Sequence, residues 1–425
     1  MKGAEHIAAI QQALREAGLD GWLFYDFRGS DPLAARILKL DPARHTTRRW
    51  YYLIPAQGTP AKILHKIEPH SLDDVPGEIR LYLSWQEQHE CLRQALAALG
   101  HQSRKPARVW GSWTSQQPIS MGARAPVRIA MQYSPMNAIP YISRVDAGTI
   151  ELVRSLGADV ATSADLVQRF EAVWTDDQYA SHRQAADALR QIVDEAFGRV
   201  RHEIACGANF TERDLQQDIL TRIAARGMHT YAPPIAAVNA HAADPHYSPP
   251  EQGSAPIRKG DLILIDLWAK SKSPGSMYGD ITWTGYVGET VPTRHAEVFA
   301  IVAAARDAGI AFVQQEVGAG RFPCGGDVDD TCRRVIRKAG YGDRFIHRTG
   351  HSIGEEVHGN GANIDNLETQ DNRRLLPRTC FSIEPGIYLP GDFGIRSEVD
   401  VYITEREAIV TGVPIQTAIV PILSS

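Results

Sequence analysis

Cysteine is scarce in this chain: five thiols in 425 residues, Cys91, Cys206, Cys324, Cys332 and Cys380, odd in number and scattered. Neither a disulfide framework nor a thiolate zinc site is expected from them, and a reducing, cytoplasmic setting fits best. Long apolar runs are missing as well, so no membrane span is expected. The first residues, MKGAEHIAAIQQALREAG, are amphipathic and broken by charge where a secretory leader would carry an apolar block. Blocks of like charge are also lacking. With a net charge of −5 spread along the chain, nothing invites nucleic acid or an anionic membrane. What is there, 43% hydrophobic and 22% charged residues, is the composition of an ordinary globular protein with room for two domains, each burying its own core.

Before Glu171 the pattern is α/β, with no metal-ligand cluster or phosphate loop. Ile7, Ile10, Leu14 and Ala17 mark one face of a first helix that Gly18 stops. Short strands are predicted over residues 22–25, 51–54, 61–64, 79–83 and 127–131, with a helix over 88–99. The one polar curiosity is the run RRWYY from Arg48 to Tyr52, which reads as a strand entering a sheet with its basic end in water. A supporting or substrate-gating domain over residues 1–173 is expected. From Thr175, which forms a capping-box pattern with Gln178, a second domain over 174–425 begins. There the order helix, helix, strands occurs twice: helices near 176–206, 211–227, 294–316 and 327–339, and strands near 234–238, 262–268, 281–287, 379–384 and 396–404. Two similarly built halves are the simplest reading.

This second domain is organised around LILIDLW, residues 262–268, which reads as a fully buried strand with Asp266 in its middle. A buried carboxylate without a compensating charge costs several kcal/mol or takes up a proton. Lys270 lies at the strand's end and reaches solvent more naturally, so a metal ion is the stronger candidate, provided other ligands exist. Asp280 opens the β-rich run ITWTGYV, His351 sits between glycines in GHSIG, Glu384 ends an apolar strand in FSIEPGIY, and Glu398 lies in RSEVDVYI. Each has a bland alternative when taken alone: a turn aspartate, a structural histidine, an exposed strand end, and an amphipathic strand with Arg396, Glu398, Asp400 and Tyr402 facing water.

Together they are more specific. PHY at His246, IDLW at Asp266, GDITWT at Asp280, HRTGHSIGEEVH from His347 to His358, SIEPGIY at Glu384 and RSEV at Glu398 resemble, in order and spacing, the motifs of the pita-bread metallopeptidases, proline-specific branch (Xaa-Pro dipeptidase and Xaa-Pro aminopeptidase). The resemblance covers about residue 176 to the end, and the preceding part is similar to the extra domain of the proline-specific members and of creatinase. It implies an α/β (α+β) chain: a creatinase-like α/β domain, then a pita-bread domain with pseudo-twofold halves. It further implies that Asp266, Asp280, His351, Glu384 and Glu398 bind two divalent ions, most naturally manganese, with cobalt, zinc or iron also suited to so oxygen-rich a set. A hydroxide bridging the ions would attack the carbonyl before proline, Glu384 would handle the proton, and His246 and His358 would steady substrate and intermediate. His347 resembles a histidine lining the proline pocket, and Tyr388 and Arg396 resemble groups behind the ligands, Arg396 also being placed to meet the substrate's charge. A di- or oligopeptide substrate and a homodimer are implied in the same way.

Two departures stand out. Trp268 occupies the place of a common glycine and Trp283 that of a common arginine, and both are expected to reshape the rim of the site. A metal-free creatinase-like amidinohydrolase and a non-catalytic binding module are the rival readings. Either is expected to have lost ligands that this chain keeps. Dipeptidase action is favoured over aminopeptidase action on longer peptides.

Overall fold

A computed structural model of the chain describes residues 3–99 and 126–424. They fall into two compact units, Met1–Glu171 and Ala172–Ser425.

The first unit contains α1 (Gly3–Glu16), β1 (Gly21–Asp26), α2 (Pro32–Leu38), β2 (Trp50–Pro55), β3 (Ala61–His65), β4 (Glu78–Tyr82), α3 (Trp85–Leu99), β5 (Val127–Met131), α4 (Ala147–Ser155), β6 (Ala158–Thr162) and α5 (Ala164–Val167). Its strands make one mixed sheet in the order β4-β3-β2-β1-β5-β6. Alternation within β1 shows why both faces are covered. Trp22 and Phe24 enter a core with α1 and α2, whereas Leu23 and Tyr25 enter the opposite core with α3 and α4. Periodicity does not reveal α2, α4 and β6, which are short. α2 is marked instead by its ends, Asp31 capping the Ala34 N–H and Pro32 in its first turn. In the run RRWYY, β2 begins only at Trp50; Arg48 is exposed and Arg49 partly buried.

The second unit contains α6 (Asp176–Ala205), α7 (Glu212–Ala225), β7 (Met228–His229), β8 (Ile235–Val238), β9 (Leu262–Ser271) and β10 (Gly279–Tyr286). Then the order recurs with α8 (Thr293–Gly318), α9 (Gly325–Lys338), β11 (Ser352–Ile353), β12 (Cys380–Ile383), β13 (Gly386–Leu389), β14 (Phe393–Arg396), β15 (Val399–Ile403), β16 (Ala408–Val410) and the short β17 (Val420–Pro421). Thr175 caps α6 with a reciprocal Gln178 bond, as its sequence predicts.

The period of two along each strand divides apolar from polar. Ile263, Ile265 and Leu267 of β9 and Ile281 and Trp283 of β10 pack on α6 and α7. Phe381 and Ile383 of β12 and Val399, Val401 and Ile403 of β15 join the core of α8 and α9. Asp266, Asp280, Thr282, Ser382 and Asp400 alternate with these residues and point the other way. One backbone bridge, Thr282 to Glu398, ties β10 of the first half to the chain before β15 of the second.

One expectation needs correction here. Residues 396–404 are not one strand. Arg396 pairs with Gly386 while Val399 pairs with Ile383, so the chain changes partners across Ser397 and Glu398. The bland alternative of a polar face in water is excluded as well: Arg396, Glu398 and Asp400 are all buried.

β10 approaches α6 closely because Gly279 has no side chain; a Cβ there would lie 2.8 Å from the Ala186 nitrogen and 3.0 Å from its Cα. Backbone atoms of a helix cannot swing aside. Gly279→Ala is therefore expected to lower stability by about 1–3 kcal/mol, read as a lower urea midpoint at unchanged slope. An unchanged midpoint would show that the contact relaxes freely.

Candidate active site

Antiparallel pairing sets the first two acids. Thr282 lies opposite Asp266 and Asp280 opposite Trp268, so Asp266, Trp268, Asp280 and Thr282 share one face and the two carboxylates sit on a diagonal. The second half supplies the rest. His351 Nε2 lies 3.4 Å from Glu384 Oε1 and 3.7 Å from Asp280 Oδ2. Glu398 Oε2 accepts a 2.7 Å bond from the Thr282 hydroxyl. Possible ligand atoms of Asp280, His351 and Glu398 all lie within 4.8 Å of one another.

The nearest compensating charge comes from Arg396, not Lys270. Arg396 Nη2 donates to Asp266 Oδ2 at 2.5 Å, its Nε donates to the Thr282 hydroxyl at 3.2 Å, and its Nη1 reaches the Tyr388 hydroxyl at 3.0 Å. Lys270 turns outward and donates to the Glu355 carbonyl. One guanidinium does not balance this site. Burial raises the carboxyls of Asp266, Asp280, Glu398 and Asp400 above their ordinary range, and for Asp280 the neighbouring Glu398, Asp266, Asp400 and Glu384 raise it further. Glu384 is pushed up to about 7, chiefly by desolvation, with Arg396 opposing. His351 is pushed well below its ordinary value by burial and by nearby His358 and Arg348, so its imidazole is neutral and its nitrogen free to ligate. Oδ1 of Asp266 and Oδ1 of Asp280 are buried without a hydrogen-bond partner. Unsatisfied oxygens, clustered acids and one neutral imidazole are the donor set of a divalent cation, so the residues present fit the metal that the sequence resemblance implies.

The loop bearing His351 is clamped from below. An added Cβ on Gly350 would lie 2.0 Å from the Ser382 carbonyl oxygen, so glycine alone fits. The Ser382 hydroxyl accepts from the His351 N–H at 3.0 Å and donates to Glu384 at 3.2 Å. On α9, buried Asp329 accepts the Thr349 N–H at 3.0 Å, while Arg333, paired with Asp329 at 2.8 Å, donates to the His347 carbonyl. Neither residue stands out in the sequence, although their spacing of four places them on one helical face.

His347 is partly buried, its Nε2 2.7 Å from the Tyr388 hydroxyl and its Nδ1 2.7 Å from the Arg348 carbonyl; burial, with Arg396 adding, drives it down to about 3. His358 lies edge-on to His351, with ring centroids 4.3 Å apart, and reaches solvent. Partial desolvation, then Arg348 and His246, push it down to about 4. His246 is exposed on the loop after β8. That loop hangs on Glu212, a buried acid of α7 that accepts from the Val238 N–H at 2.7 Å, from His241 at 2.9 Å and from the Tyr247 hydroxyl at 2.7 Å.

The two tryptophans part company. Trp268 does stand on the face of Asp266 and Asp280, near Tyr231, with ring centroids 6.1 Å apart. Trp283 faces the other way, into the core under Arg190, whose guanidinium lies 3.8 Å from the ring centroid. The expectation that both shape the rim is wrong for Trp283, because an odd step along β10 carries it through the sheet. Asp400, seen in the sequence only as part of a water-facing stripe, instead accepts the Asp280 N–H at 2.8 Å beneath the cluster.

Residues 180–405 match the profile of metallopeptidase family M24. The chain belongs to that family. A probable dipeptidase, PepE, of Mycobacterium tuberculosis is 30% identical over 274 residues, covering 64% of this chain and 67% of the relative. A Xaa-Pro dipeptidase of Lactobacillus helveticus is 32% identical over 196 residues, 44% of this chain and 47% of that protein. Among solved structures, the recombinant prolidase of Thermococcus sibiricus has the same fold, with a TM-score of 0.61, 22% identity and coverage of 99% of both chains. The pita-bread architecture and membership among the metallopeptidases are therefore established for this M24 chain.

Deleting Arg396 isolates its role. Arg396→Met leaves Asp266 buried and unpaired, which is expected to cost about 3–5 kcal/mol in urea unfolding of the chelated protein, and less when a divalent ion is present. A loss below about 1 kcal/mol, the scale of an exposed pair, would mean that Asp266 is not ionised against it.

Proposed function

We propose that this chain hydrolyses the peptide bond preceding proline, as a Xaa-Pro dipeptidase. The observation that carries this reading is the buried cluster of Asp266, Asp280, His351, Glu384 and Glu398, with more negative charge than Arg396 offsets. Family membership and the printed activity of the Lactobacillus relative supply the reaction class. These five residues would hold two divalent ions, manganese by preference. Such ions polarise a carbonyl and lower the pKa of an attacking water.

The protein's own groups supply the remainder. Glu384, whose carboxylate accepts from the Ser382 hydroxyl, would accept a proton at one step and return it at the next, passing it towards the leaving proline nitrogen. His246 and His358 stand on the open side, where a donated N–H would stabilise the oxyanion. Arg396, fixed between Asp266 and Tyr388, orients the acid it grips. We also propose a homodimer, for which light scattering at assay concentration gives the test: a fully active monomer contradicts it.

Three expected outcomes follow from these roles. Exhaustive chelation should abolish cleavage, and manganese or cobalt should restore it; full turnover after chelation would overturn the metal-dependent reading. His351→Ala should lose metal as well as rate, whereas His358→Ala should keep its metal and lose roughly a hundredfold or more in turnover, as metal analysis beside kinetics will show. Equal metal loss in both variants would make His358 a ligand. Finally, a panel of Xaa-Pro dipeptides, Xaa-Pro-Xaa tripeptides and longer peptides should show the dipeptides cleaved best. Preference for the longer peptides would assign aminopeptidase action instead, and cleavage of none would reject the proline-specific reading.

A further inference from the structure

The N-terminal unit carries a cleft of about 1070 Å³ that shares no residue with the carboxylate cluster. Its lining joins the turn after β1, the chain entering β2, the end of β4, the start of α3 and the N-terminal turn of α4. Arg28, Arg48, Arg49 and Arg144 all reach it, against the two acids Asp146 and Glu151. Arg48 behaves as its sequence predicts, exposed at a strand's entry and bonded to the Thr47 hydroxyl at 2.9 Å.

Arg49 does not fit that description. It is partly buried, and among the described residues its guanidinium has neither a carboxylate partner nor a hydrogen-bond acceptor, whereas the charge of exposed Arg144 acts on the buried Asp31 carboxyl. The obvious counter-charge is already used. Asp146 accepts the Thr149 N–H and the Thr149 hydroxyl, both at 2.8 Å, in capping α4. The nearby Tyr82 hydroxyl donates to the Arg49 carbonyl at 2.6 Å. Apolar ring surface lies beside these cations: Trp85 is 60% exposed and Phe27 40% exposed, with Arg28 set 5.2 Å from the Phe27 centroid.

We propose that this cleft is a binding site for a small organic anion with a planar, aromatic body. Its carboxylate or phosphate would meet Arg49 and Arg144, whose guanidinium forks match both groups. Its ring would lie against Trp85 and Phe27. An anion bound there would add charge-assisted hydrogen bonds to guanidinium groups that otherwise face water. Two sources share this chemistry, the phosphate of a nucleotide and the carboxylate of an aromatic acid.

Calorimetric titration of the full chain with adenosine monophosphate, and separately with N-acetylphenylalanine, tests the proposal. At least one probe should bind with a Kd below about 1 mM, more weakly as salt is raised. Arg49→Ala and Arg144→Ala should each weaken that binding roughly tenfold or more. Which probe binds identifies the anion's source, and binding of both supports the site equally. The thermal midpoint of each unliganded variant reports folding, and Arg144→Ala, at an exposed side chain, decides the matter if Arg49→Ala does not fold. Saturation by neither probe overturns the proposal, as does wild-type affinity in a folded variant. Because binding alone is read, failure here leaves the peptidase reading untouched, and failure of that reading leaves this site standing.

Discussion

Excess negative charge in a dry place is the constraint on which the second unit is built. Asp266, Asp280, Glu384, Glu398 and Asp400 converge from two half-domains, with the Arg396 guanidinium bonded directly to Asp266. Left alone, such a set must keep protons it would lose in water, and burial raises all five carboxyls accordingly. A core of this kind weakens a protein unless something returns the cost. Divalent cations held there would do so, and would place the strongest local charges where the proposed reaction needs a peptide carbonyl polarised.

The surrounding structure keeps these acids from separating. Strand alternation fixes their direction, and the bridge between Thr282 and Glu398 fastens the two halves at the point where their charges meet. Gly350 lets the His351 loop lie on the Ser382 carbonyl, and Asp329 with Arg333 ties that loop to α9. Glu212 does the same for the segment carrying His246. Positions held by backbone contacts and buried ion pairs are rigid, which is what preorganised electrostatics requires.

Much of this was legible in the sequence, for identifiable reasons. An acid inside LILIDLW is conspicuous because nothing local neutralises it, and the helix-helix-strand order repeats visibly through its caps and periods. Long-range partners were not legible. Arg396 meets Asp266 across 130 residues, and no local pattern signals that pairing. Period two predicted the shared face of Glu398 and Asp400 but not whether water or protein lay over it. Trp283 misled for the opposite reason: a position next to motif residues suggests the rim, yet one step along a strand reverses the side chain, and Arg190 receives it in the core. In the first unit, short elements such as α2 carry too few residues for periodicity, and only their caps betray them.

The charge account is tested most directly by the protons that metal binding displaces. Manganese is titrated calorimetrically into the chelated full chain in two buffers of different ionisation enthalpy, near pH 6 and again near pH 8. Carboxyls raised above their ordinary range hold protons at the lower pH that a bound cation must expel, while His351, already neutral, contributes none. The account predicts two ions bound per chain with net proton release that shrinks as pH rises. Absence of binding, or heats that are equal in the two buffers at both pH values, would contradict it.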